Sequence, residues 1–265
     1  MLRQISQLLV VFFLWWGCTG NCWAEPSSTA VIALHGKWGR PPGPLASDLQ
    51  TAGYTVVSPA MAWGRDRLYD VDYPDALLEI RDAVARLRGQ GFTRVVLAGH
   101  SLGANAALAY AANHGDVDAL MVFAPGHVPE YQFRNGETAS TLQKARVAVQ
   151  AGQGAVRDFE FTDFNSGNRR RQLVSTPSAY LSYYEPEGLA NMSISASRVR
   201  RAIPVFYAGT VQDGITRWGF GAQYVFKQLP PHPQSVYLEG RASHMEVPQD
   251  VAAQALDFLK TLALP

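Results

Sequence analysis

Six short runs in this chain are apolar at nearly every position. They lie at residues 30–34, 54–57, 94–98, 119–124, 203–208 and 235–238 and are rich in β-branched side chains. A strand with one face in water alternates apolar and polar residues, so a run apolar throughout must be covered on both faces. The segments between the runs supply the cover. In residues 75–88 the apolar side chains Ala76, Leu77, Ile80, Val84 and Leu87 recur at three- and four-residue spacing, the period of a helix. Residues 102–113, 217–228 and 248–262 read the same way, the last with Pro248 near its first turn. Strands buried on both faces and alternating with helices imply an α/β architecture: a mostly parallel sheet of about six strands with helices on both faces.

Residues 127–201 break this rhythm, and the polar stretch Asn165-Ser166-Gly167-Asn168-Arg169-Arg170-Arg171 interrupts them. A structureless loop of that length is improbable in a compact domain. The expectation is a helical cap insertion over the sheet edge. The run Arg169 to Arg171 has two readings, a site for an anionic substrate group or a solvated surface.

The N-terminus reads as a targeting segment. Arg3 is its one charge, Leu8 to Trp16 is an unbroken apolar run, and Cys22-Trp23-Ala24 offers a cleavage site before Glu25. A basic start, a short apolar centre and a small residue at the cut describe a signal peptide over residues 1–24, with a catalytic domain over 25–265. The alternatives are an uncleaved N-terminal anchor and, on a poor match at Cys18, a lipidated one. Both cysteines, Cys18 and Cys22, fall in this segment, so the mature chain would hold no disulfide and no cysteine nucleophile. That describes an exported protein, periplasmic or secreted, with no stable membrane span after processing. The chain carries 23 basic and 22 acidic residues, a balance that gives no reason to expect nucleic acid as a partner.

Chemistry is written most clearly at Gly99-His100-Ser101-Leu102-Gly103. A buried strand (Val95 to Ala98) precedes it and an Ala-rich helix follows, so Ser101 falls on a sharp strand-to-helix turn. Glycines at 99 and 103 are required where strand and helix approach. A serine hydroxyl needs a base, and the base an orienting carboxylate, each just past a strand end. Asp213 follows the strand 203–208 in Gly209-Thr210-Val211-Gln212-Asp213. His244 follows the strand 235–238 in the segment Glu239 to His244. Glu239, or an acid in the insertion, is the alternative to Asp213. An oxyanion hole is expected from the backbone amides of Leu102 and Lys37, with Trp38 as the alternative to Lys37 and His35 bracing the loop.

These motifs together, with the His-Gly loop at 35–36, resemble the α/β-hydrolase superfamily. The resemblance implies a minimal version of that fold without the antiparallel N-terminal hairpin. It also implies a Ser101–His244–Asp213 mechanism with no cofactor and no metal. The leading reading is a serine hydrolase that cleaves carboxylic esters of small or medium acyl groups through an acyl-enzyme. A peptidase, thioesterase or acyltransferase would use the same triad, and a catalytically idle secreted binding module is the reading from another class. Trp38 and Trp218 are candidate substrate-binding residues. Trp63 and the tyrosines at 180, 183 and 184 fit either an acyl pocket or the core.

Overall fold

Along each long strand of the sheet, successive side chains enter two different cores. Ala30, Ile32 and Leu34 join one apolar cluster and Val31 the other; Leu97 and Leu120 fall in the first, Ala98 and Met121 in the second. Both faces are therefore buried, which is why the runs carry no polar alternation. The computed structural model describes residues 28–165, 169–216, 219 and 222–262. The expected leader, with both cysteines, lies outside them.

The elements are β1 (Thr29–Leu34), α1 (Ala46–Thr51), β2 (Thr55–Val57), α2 (Tyr73–Gly89), β3 (Arg94–His100), α3 (Leu102–Asn113) and β4 (Ala119–Phe123). The segment after β4 holds α4 (Pro129–Arg134), α5 (Ala139–Gln150), β5 (Phe159–Asn165), β6 (Arg169–Ser175), α6 (Pro177–Tyr184) and α7 (Met192–Arg198). The chain then returns through β7 (Val205–Thr210), α8 (Ala222–Phe226), β8 (Val236–Gly240), α9 (Val247–Asp250) and α10 (Ala252–Leu262). Six strands form one all-parallel sheet in the order β2-β1-β3-β4-β7-β8. Helices α2 and α3 pack on one face, and α9 and α10 on the other. Among the described residues no helix is long and apolar enough to cross a membrane.

The order places the functional loops. The chain steps outward from β1 to β2, then returns to add β3 on the other side of β1. Loops leaving the C-terminal ends of β1 and β3 therefore diverge around a crevice, where α/β sheets bind ligands.

The long segment between β4 and β7 differs from expectation. It has helices, but also an antiparallel hairpin in which Phe159 pairs with Ser175 and Asn165 with Arg169. The polar stretch read as an interruption closes β5 and opens β6 with its three arginines. Likewise the helix expected over 248–262 is two, with a break at Val251.

Candidate active site

The turn after β3 is as tight as its glycines require. A Cβ on Gly99 would lie 2.2 Å from the Gly103 carbonyl oxygen, and one on Gly103 would lie 2.4 Å from that of Leu34. Between them Ser101 holds φ 57° and ψ −120°. A non-glycine residue in this region is strained by its own Cβ, and the surrounding packing must hold it there. The turn sets Ser101 at the start of α3, where the Leu102 N–H has no intrahelical acceptor and Leu102 lines the crevice.

Asp213 and His244 meet across adjacent strand ends. The His244 Nδ1–H donates to both carboxylate oxygens of Asp213 at 2.9 Å, and both side chains are nearly buried, at 13% and 12% exposure. Thr210, the last residue of β7, ties the two loops together: its hydroxyl donates to the Ala242 carbonyl at 2.6 Å and accepts from Gln212 N–H at 3.1 Å. Glu239 takes no such position. It lies inside β8 opposite Gly209, one residue before the strand ends, and its side chain is exposed.

The other buried histidines are committed elsewhere. His35 donates Nδ1–H to the Gly36 carbonyl at 2.9 Å and accepts from Met61 N–H at Nε2, so it braces its loop; burial holds its pKa below the usual value. His127 donates Nε2–H to the Tyr183 carbonyl at 2.6 Å and accepts from Lys37 Nζ at Nδ1. Burial, with Lys37 beside it, pushes the His127 pKa down to about 3. His100, inside the turn itself, has a structural task. Its Nε2–H donates to the His244 backbone carbonyl at 2.9 Å, and burial together with His244 lowers its pKa to about 4.

Ser101 and His244 converge on a residue that sequence reasoning missed. A Cβ on Gly126 would lie 2.9 Å from Ser101 Oγ and 3.5 Å from His244 Cε1. Ser101 Oγ and His244 are not hydrogen-bonded to each other here, and such contacts often tighten only once substrate is bound. Asn105, one turn beyond Ser101 on α3, holds the Gly126 loop. Its side-chain amide donates to the carbonyls of Gly126, His127 and Ala190 and accepts from the Tyr73 hydroxyl at 2.6 Å.

The loop after β1 packs on the same turn, where a Cβ on Gly36 would stand 3.1 Å from that of Ser101. The Trp38 N–H is taken by the Trp63 carbonyl at 3.0 Å, whereas no described group accepts from the Lys37 N–H. Lys37, Ser101, Leu102 and His244 all line one cavity of about 510 Å³. Val128, Phe164 and Ile215 add apolar wall; Gln132, Glu137, Asn165, Arg170 and Gln212 add polar groups.

Trp38, expected at the substrate, is turned away from this cavity. Its indole N–H donates to Asp163, and its ring lies beneath the guanidinium groups of Arg171, at 4.5 Å, and Arg169, at 5.8 Å. Only Arg170 of that run lines the cavity, because alternation along β6 sends it to the opposite face, above Phe164. Trp63, Tyr180, Tyr183 and Tyr184 are core, with no exposure at all. Trp218 lies outside the described residues.

A sequence profile of the alpha/beta hydrolase family matches residues 31–256. The chain belongs to that family. No curated protein matches it in sequence. Solved structures match it in fold. A thermostable carboxyl esterase from Bacillus coagulans superposes with TM-score 0.64 at 14% identity, over 89% of this chain and 91% of that one. A monoacylglycerol lipase from Paleococcus ferrophilus gives 0.58 at 14%, over 88% and 96%. A structure from work on the metagenome-derived lipolytic enzymes LipS and LipT gives 0.59 at 16%, over 89% and 95%. At such identities the likeness is one of fold.

Proposed function

We propose that this alpha/beta hydrolase is a serine esterase with Ser101 as nucleophile, His244 as base and Asp213 as its orienting acid. The observation that carries the reading is the Asp213–His244 pair at 2.9 Å, set beside a serine on a strained turn. Ser101 Oγ attacks the ester carbonyl while His244 Nε2 takes its proton. Asp213 fixes the tautomer and stabilises the imidazolium. The amides of Lys37 and Leu102 receive the oxyanion, and among the described residues no other group competes for them. Collapse expels the alcohol, protonated by His244, and water then releases the acid by the same steps in reverse. Carboxylic esters are favoured as substrates because the structural neighbours named above are a carboxyl esterase, a monoacylglycerol lipase and a structure from work on lipolytic enzymes. Residues 127–201 would act as a cap, since Phe164, Asn165 and Arg170 wall the cavity.

The test is fluorophosphonate labelling together with hydrolysis of p-nitrophenyl esters of graded chain length. Wild type should label once and turn over. Ser101→Ala should do neither, with a loss of several orders of magnitude. Absence of label on Ser101 in the wild type would instead favour a binding module. Export is part of the same reading: protein recovered outside the cytoplasm should begin near Glu25, and an intact Met1 or a lipid on Cys18 would contradict it.

A further inference from the structure

Lys37 divides its backbone and its side chain between two places. The residue is partly exposed, yet its side chain is only 3% exposed, so it is the backbone that faces the cavity beside Ser101 and Leu102. The ammonium turns inward beneath β5. There Nζ donates to Asp163 Oδ1 at 3.0 Å, to the Phe164 carbonyl at 2.7 Å and to the Tyr184 hydroxyl at 3.0 Å. Asp163 has no exposure and also receives the hydroxyls of Tyr69, at 3.0 Å, and Tyr184, as well as the Trp38 indole N–H. Burial pulls the Lys37 pKa below its usual value, with Asp163 opposing. Burial would raise the Asp163 carboxyl, but Lys37, Tyr184 and Trp38 hold it below the ordinary carboxylate range.

A charge pair this far from water is a poor device for stability alone. The cost of dehydrating both ions offsets their attraction, and an apolar pair of similar volume often does as well. What it does impose is one geometry, since every donor around the carboxylate must be in place for the charge to be tolerated. Two of those donors, Lys37 and Trp38, are neighbours in the loop that carries the free Lys37 N–H. The acceptor sits on a hairpin 126 residues away.

We propose that Asp163 is a positioning residue for the oxyanion: through the Lys37 side chain it holds the 35–39 loop so that the Lys37 N–H stays aimed beside Ser101. The β5–β6 hairpin is then a working part of the site as well as a wall of the cavity. This rests on the serine-esterase reading above. It differs from a substrate-pocket role, because an oxyanion is common to every ester whatever its acyl chain. It differs from a purely structural role, because turnover per folded active site should change.

The experiment compares wild type, Asp163→Asn and Tyr184→Phe on p-nitrophenyl acetate and octanoate, with active sites counted by end-point fluorophosphonate labelling. Asp163→Asn should lower kcat roughly ten- to a hundredfold, by the same factor on both esters, with KM within about threefold. Tyr184→Phe, which deletes one hydroxyl at constant shape, should act in the same direction by several-fold. A trifluoromethyl ketone, whose serine adduct carries the same oxyanion, should lose affinity in parallel. Unchanged kcat per active site overturns the proposal, and so does an effect confined to KM that grows with chain length. If Asp163→Asn does not fold, Tyr184→Phe decides alone. If wild type hydrolyses neither ester and takes no label, the esterase reading fails and this proposal falls with it.

Discussion

Gly126 and Ser101 are packed so closely that a Cβ on residue 126 would lie 2.9 Å from Ser101 Oγ. The glycine is not needed for its backbone angles, since Gly126 is absent from the positive-φ positions. It is needed for the space in front of the hydroxyl. Gly126→Ala should therefore lower ester turnover by about 10² or more, the cost of displacing a reacting atom by around an ångström. The fold should survive with a loss of about 1–3 kcal/mol for the overpacking. Turnover and thermal melting on one preparation check both halves.

Asp213 and Glu239 can be separated by the same kind of change. Asp213→Asn keeps the size but removes the charge that stabilises the imidazolium, so turnover should fall by something on the order of 10⁴. Glu239→Gln alters an exposed side chain within β8 and should leave turnover near wild type. Both are measured on one ester across pH 5 to 9. A severe glutamate effect would relocate the acid.

Thr210 is 1% exposed and joins the Asp213 and His244 loops through one hydroxyl. Thr210→Val keeps the shape but leaves the Ala242 carbonyl and the Gln212 N–H without that partner. The expected cost is about 1–3 kcal/mol of stability, with turnover roughly tenfold lower. Thr210→Ser restores the hydroxyl and should recover most of both. Wild-type stability and turnover in Thr210→Val would show that the hydroxyl does not hold the two loops together.

His100 gives the fold a sensitivity to acid. Its pKa is about 4 in the folded protein, lowered by burial and by His244, and near 6.5 in an unfolded chain. Between these values the unfolded chain binds a proton that the folded protein refuses. Stability from this group is therefore complete above about pH 6.5 and is lost toward pH 4, by roughly 3 kcal/mol. His100→Gln can still donate to the His244 carbonyl but does not titrate. Its melting temperature should fall less than that of wild type between pH 7 and pH 4.5. Equal falls would mean that His100 is not held neutral.

Local pattern carried most of the architecture. Six apolar runs became the six strands of one parallel sheet, and α2 and α3 lie where the helical spacing put them. These features are legible because side-chain periods of two and of about 3.6 are properties of a few consecutive residues. The turn at Ser101 is legible for the same reason, since its two glycines are required by atoms within one short stretch and the adjoining β1.

What the tertiary structure decided is where side chains meet across distance. The β5–β6 hairpin was hidden because Asp163 occupies an inward position beside Phe161, where an apolar residue would have kept the alternation. That carboxylate is tolerated there because Lys37, 126 residues earlier, supplies its counter-charge. Trp38 was expected at the substrate and instead serves Asp163, and Gly126 had no motif to mark it. Sequence alone determined which segments become the strands of the parallel sheet and which turn bears the serine, because those features rest on a few consecutive residues. Only the fold could decide which acid faces His244, which ring lines the cavity and which charge can be buried, because those depend on partners brought together by the sheet.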